Sequence, residues 1–143
     1  MISGKPGQMV MNWKFIISAA VMFVMLFAIG WGVHGTLLKE DYAKLPSLVR
    51  PMVDVRANFL YMLLAQICTA VAFTWIYRQG REDKPWLPQG IRYGIAIAAL
   101  MTIPASLVHY AVMPFPGELI AKQMAFDVAT IVLMGVVLAW INR

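Results

Sequence analysis

Charge is scarce in this chain. Asp, Glu, Lys and Arg make up 13% of its residues, against about a quarter in a soluble domain. That scarcity excludes an ordinary water-solvated surface. Cysteine is scarcer still: Cys68 stands alone, which excludes an internal disulfide and a cysteine-based metal set. Glycine-rich phosphate loops, His-Glu-x-x-His helices and nucleophile elbows are all missing. No long stretch alternates apolar and polar residues, which excludes the strands of a membrane β-barrel. No carboxylate stands within the first apolar run, which argues against a small proton-coupled drug exporter. The net charge of +5 follows the placement of short loops and forms no nucleic-acid footprint.

What the chain has instead is hydrophobic length. Hydrophobic residues reach 61%, and four apolar runs cover residues 15–33, 57–77, 93–113 and 124–141. A helix crossing the hydrocarbon core needs about 20 such residues. The runs predict an all-α polytopic membrane protein: one four-helix transmembrane domain over residues 1–143. Its helices are expected at about 14–35, 56–78, 91–113 and 118–142. The first run follows Lys14 as a signal peptide would, but it is too long for an ordinary h-region and is read as a retained helix. Met9 and Met11 are alternative starts to Met1. The eleven methionines are spread along the chain and read as packing.

Orientation follows from Lys and Arg. With the N-terminus inside, the inner segments carry Lys5, Lys14, Arg78, Arg81, Lys84, Arg92 and Arg143. The outer ones carry Lys39, Lys44, Arg50, Arg56 and Lys122. Under the positive-inside rule both termini are expected in the cytoplasm.

The most informative stretch is the last pair of helices, joined by Pro114-Phe115-Pro116-Gly117. Arg92 and His109 are 17 residues apart, and Asp127 and Arg143 are 16 apart, so both polar groups are expected at about 25 Å from the same face. Ionisable groups at membrane depth are costly and point inward toward partners. On the third helix Gly94, Ala98, Thr102, Ala105 and His109 fall on one small-residue seam, the usual close-packing face. A structural or functional His109–Asp127 pair is expected there. Arg56 and Lys122 are further candidate partners for Asp127, and Gln66 is expected to hydrogen-bond across helices. Pro104 should bend the third helix below His109. His34, at the far end of the first helix beside Trp31 and three glycines, is either an interfacial residue or a ligand or proton carrier. No metal site is expected.

The Gly32-Val33-His34-Gly35-Thr36-Leu37-Leu38 ending of the first helix, Tyr42 after it, Gly90 and Gly94 opening the third, and Asp127 with Gly135 in the last resemble small four-helix bacterial inner-membrane proteins. No activity is assigned to that family. The resemblance covers most of the chain and implies a fold and a location in the inner (cytoplasmic) membrane.

The function expected from these features is non-catalytic: an accessory or structural subunit of a larger membrane complex, or a homo-oligomer. Its partners would be the lipid bilayer and other membrane subunits or copies of itself, with no nucleic acid. One alternative is a binder of haem, another tetrapyrrole or a quinone through His34 and His109. The other is a small transporter or enzyme using the His109–Asp127 pair.

Overall fold

The computed structural model describes residues 13–143; Lys5 and the alternative starts Met1, Met9 and Met11 lie outside the described residues. Regular structure among these residues is helical throughout. Helix α1 (Trp13–Gly32) runs on into a π-helical turn, Val33–Leu37. Two short helices follow, α2 (Lys39–Ala43) and α3 (Met52–Ala57). Then come α4 (Phe59–Gly80), α5 (Trp86–Ile97), a second π-helical turn (Ala98–Thr102), α6 (Ile103–Val112) and α7 (Gly117–Ile141). Among the described residues, four continuous units are long and apolar enough to cross a membrane: Trp13–Leu37, Phe59–Gly80, Trp86–Val112 and Gly117–Ile141.

The third span starts earlier than expected, at Trp86 instead of near residue 91. Pro85 caps it in an extended conformation, and Pro88 falls in the first turn, where a helix needs no backbone N–H. The breaker residues therefore open this helix. Gln89 closes the preceding loop by bonding the backbone N–H and carbonyl of Glu82.

Two helix pairs make up the bundle: α1 packs on α4, and α5 packs on α7. The second crossing is set by glycine. A Cβ on Gly90 would lie 2.6 Å from the Gly135 carbonyl oxygen, and one on Gly94 2.6 Å from Val132 Cα. Any side chain there would push the helices apart, so the close approach requires glycine. Met22, Phe73, Tyr77, Met134 and Leu138 fill the core between the pairs. The Tyr93 hydroxyl donates to the Phe73 carbonyl, and its ring packs against Phe73 and Tyr77. At the end of the bundle carrying Trp13 and Arg143, buried Asn142 donates to Ser18 Oγ (3.0 Å) and to the Leu138 carbonyl (2.9 Å). We call this the terminal end, and the opposite one, bearing α2, α3 and the 113–116 corner, the loop end. Apolar side chains such as Leu60, Leu100 and Val112 face outward, as suits helices solvated by hydrocarbon.

The seam expected on the third span divides in two. Gly94 and Ala98 are buried, but Ala105 and His109 are exposed. The π-helical turn between them is the reason. It adds a residue to one turn, so everything beyond it is rotated by about 100° from the straight-helix register. The break comes with Pro104, which has no N–H for the Leu100 carbonyl.

Candidate functional site

The rotation of α6 has a consequence for packing. A cleft of about 420 Å³ opens between α4 and α6, floored by α1 and α7. Toward the terminal end its walls are apolar, with Leu26, Phe73, Ile76 and Ile97. Midway it carries Thr69, Thr102 and Thr130, and toward the loop end Ser106, His109 and Asp127. Thr69 and Thr130 return their hydroxyls to backbone carbonyls four residues back (2.9 and 2.8 Å). The side chains of Thr102, Ser106 and His109 have no hydrogen-bond or ion-pair partner among the described residues. The cleft is therefore amphipathic, with three unpartnered polar groups along one wall.

Asp127 joins the cleft to a second polar group. Its Oδ1 lies 3.5 Å from His34 Nε2, an ion-pair contact with both side chains 41% exposed. His34 Nδ1 is 2.7 Å from the Tyr42 hydroxyl, which also accepts a hydrogen bond from Gln123 Nε2. Because Gln123 donates to the Tyr42 oxygen, the tyrosine proton is free for Nδ1, which leaves the histidine proton on Nε2 facing Asp127. The chain of donors thus points from Gln123 through Tyr42 and His34 to Asp127. Burial is the main cause of a Tyr42 pKa above its ordinary value; Gln123 opposes it, and Asp127 and Asp41 add to it. The hydroxyl stays protonated throughout the neutral range.

The π-helical turn Val33–Leu37 places His34, and α2 folds back so that Tyr42 stacks on the imidazole, ring centroids 6.1 Å apart. Charge pins α2 down. Lys122 on α7 lies 3.4 Å from Asp41 and 2.9 Å from Glu118, and Lys44 lies 3.4 Å from Asp41. Burial raises the Asp41 pKa, but Lys122 and Lys44 together outweigh it and hold the carboxyl below its ordinary value.

The structure redistributes the expected partners of Asp127. Its ion-pair partner is His34, and no hydrogen bond or ion pair joins it to His109, although both line one cleft. Lys122 is engaged with Asp41 and Glu118 instead. Arg56 lies exposed on α3 with no ion pair. Gln66 makes no cross-helix hydrogen bond among the described residues. His34 does not line the cleft, and both of its ring nitrogens are engaged, which leaves none free for axial ligation of a haem. Tyr42 and Gln123 were missed as site residues. The signal available was the His34–Tyr42 spacing next to a helix ending, but only the fold-back of α2 gives it meaning. No group of three or more His, Cys, Asp or Glu suited to a metal ion occurs among the described residues.

Comparison with known proteins finds no matching family model, no matching curated sequence and no matching solved structure. The site has to be read from its own chemistry.

Proposed function

We propose that this chain is a non-catalytic multi-pass membrane protein that binds an amphipathic small molecule of the quinone class in the α4–α6 cleft. One observation carries the reading: an apolar-walled cleft with the side chains of Thr102, Ser106 and His109 along the third span, unpartnered among the described residues. Ligand sites are concave and largely apolar, with a few convergent polar groups that orient the ligand. Two hydroxyls and an imidazole supply donors, so the matching head group carries acceptor oxygens. The apolar half suits an isoprenoid-like tail. A tetrapyrrole held by His34 and His109 is disfavoured by the engagement of His34 on both nitrogens.

In this reading both termini face the cytoplasm of a bacterium, by the Lys and Arg distribution, and the polar end of the cleft lies toward the outer leaflet. The test is to purify the protein in mild detergent, extract it with organic solvent and identify co-purified quinones by mass spectrometry. In parallel, thermal stability is followed while a short-chain benzoquinone is titrated. Bound quinone and a saturable rise in Tm are expected. Ser106→Ala with His109→Leu should weaken binding about tenfold, as loss of roughly 1.4 kcal/mol would. No extracted quinone together with no Tm shift would reject the reading.

A second reading, as an accessory subunit or homo-oligomer, is favoured by the same cleft being open to the bilayer between α4 and α6. A partner helix would fill it. A detergent complex larger than one chain, whose assembly is abolished by Ala105→Trp in the cleft wall, would support that alternative.

A further inference from the structure

Thr102, Ser106 and His109 line the cleft without a hydrogen-bond partner among the described residues. Asp127 is different, because it is also one end of a directed chain that runs through His34 to Tyr42 on α2. Lys122 sits beside Asp41 of α2, outside the spans, and Asp127 is five residues further along α7, about 7.5 Å deeper. Between these levels run Tyr42 and His34, with contacts of 2.7 Å and 3.5 Å. We propose that Tyr42 and His34 relay a proton between water at the loop end and the Asp127 carboxylate, so that the charge of the cleft is switched from outside the bilayer. The proposal rests on the cleft being a ligand site only for its link to binding; the relay itself stands on the contacts.

The step balances without a redox partner. A hydronium ion at the loop end gives its proton to the Tyr42 oxygen and becomes water as the tyrosine proton passes to His34 Nδ1. The Nε2 proton passes to Asp127 Oδ1. Tyr42 and His34 end neutral, with His34 in its other tautomer, and the only net change is Asp127 from carboxylate to carboxylic acid. The transfer to Oδ1 requires the 3.5 Å contact to shorten by about half an ångström to reach hydrogen-bonding range. The ionisable groups that bear on this path are His34 at the end of the first span, Asp41 and Tyr42 on α2 with Lys44 just after it, His109 on α6, and Glu118, Lys122 and Asp127 on α7. Of these, Asp41 is already held charged by Lys122 and Lys44, which leaves a carboxylate at the mouth of the path.

Protonation changes what the cleft accepts. As a carboxylate, Asp127 only accepts hydrogen bonds; as the acid it donates. A ligand with acceptor oxygens, already offered donors by Ser106 and Thr102, therefore binds best to the protonated form. Binding should take up about one proton per ligand.

The experiment has two arms on the full chain in nanodiscs. Without ligand, a rapid pH jump is followed by infrared at the protonated-carboxyl band, assigned to Asp127 by its loss in Asp127→Asn. Tyr42→Phe and His34→Gln should each slow the appearance of that band at least tenfold. Helicity by circular dichroism confirms that both variants are folded, and His34→Gln keeps a hydrogen-bonding side chain in place. Wild-type rates in both folded variants would overturn the relay, because water in the cleft would then supply the proton. In the second arm, binding of a short-chain benzoquinone is measured calorimetrically in two buffers of different ionisation enthalpy. Uptake of one proton, abolished in Asp127→Asn, is expected. Quinone binding with no proton uptake would overturn the coupling. Slowed band kinetics without quinone binding would reject the ligand class while leaving the relay intact.

Discussion

His34 is a side chain whose role depends on where its two nitrogens point. With Tyr42 on one and Asp127 on the other, it is a link between groups and no longer an open ligand. A double-mutant cycle of His34→Leu and Asp127→Leu should show coupling of about 0.5–1.5 kcal/mol, read by thermal stability in detergent. The cycle of His109→Leu and Asp127→Leu should be additive, since these residues share a cleft without touching. At the same scale, Thr74 Oγ1 is a buried side-chain atom without a partner among the described residues. Thr74→Val should stabilise the protein by about 1 kcal/mol by removing an unsatisfied hydroxyl. Asp41 carries the pH dependence of the α2 contact. Its pKa is lowered in the fold, so the contribution is present above the ordinary value of 3.8 and is lost as pH falls through the lowered one. Spin labels on α2 and α7 should report a fixed distance at pH 6 that broadens on acidification below the ordinary value. A distance unchanged in strong acid would show that Lys122 and Lys44 do not hold α2.

At the scale of an element, the α5–α7 crossing and the π-helical turn that follows it are built from opposite devices. Gly90, Gly94 and Gly135 remove side chains so that two backbones touch. Gly94→Ala should cost about 1–3 kcal/mol, because the added carbon meets backbone that cannot move aside. Gly30→Ala should be neutral, since nothing lies within 4 Å of a Cβ built there. Chemical denaturation of both variants measures the difference. The turn Ala98–Thr102 instead sets which face α6 turns toward the cleft. Deleting Leu100 should restore continuous α-helix, turn Ser106 and His109 about 100° away from the cleft and abolish ligand binding while the bundle stays folded. Retained binding in that variant would show that the turn does not set the direction of the α6 wall.

For the whole molecule, two helix pairs meet along a core that is filled toward the terminal end and open beside α6. Helix association in lipid relies on packing and polar contacts, because hydrocarbon solvates apolar side chains as well as a neighbouring helix does. The pairs are joined by Tyr93 to Phe73 and Asn142 to Ser18 toward the terminal end and by His34 to Asp127 toward the loop end. The loop end depends on the charge cluster around Asp41. Orientation is testable at this scale. Exposed Ser47 and Asp83 lie in connections at opposite ends of the spans. A cysteine at Ser47 should react with an impermeant maleimide in whole cells, and one at Asp83 only after lysis. The reverse pattern would invert the orientation and place the polar end of the cleft on the cytoplasmic side.

Hydrophobic length alone determined the helical class and the number of long apolar helices, because a span needs about 20 apolar residues whatever its neighbours are. Gly94 was legible as a close-packing position on the small-residue seam, whereas the contact of Gly90 with Gly135 emerged only from the packed structure. His109 and Asp127 line one cleft, but the ion-pair partner of Asp127 is His34. Direction was not legible. Counting at a uniform 100° per residue put His109 on the face of Gly94, and a π-helical turn, which no local residue preference announces, rotated it away. The choice of His34 as the partner of Asp127 likewise required tertiary structure. It depends on α2 folding back to bring Tyr42 and Asp41 over α7, through contacts between residues 81 positions apart in the chain. Rise per residue is a property of the backbone and survives folding; the azimuth of a side chain accumulates every irregularity before it, and only the packed structure records the sum.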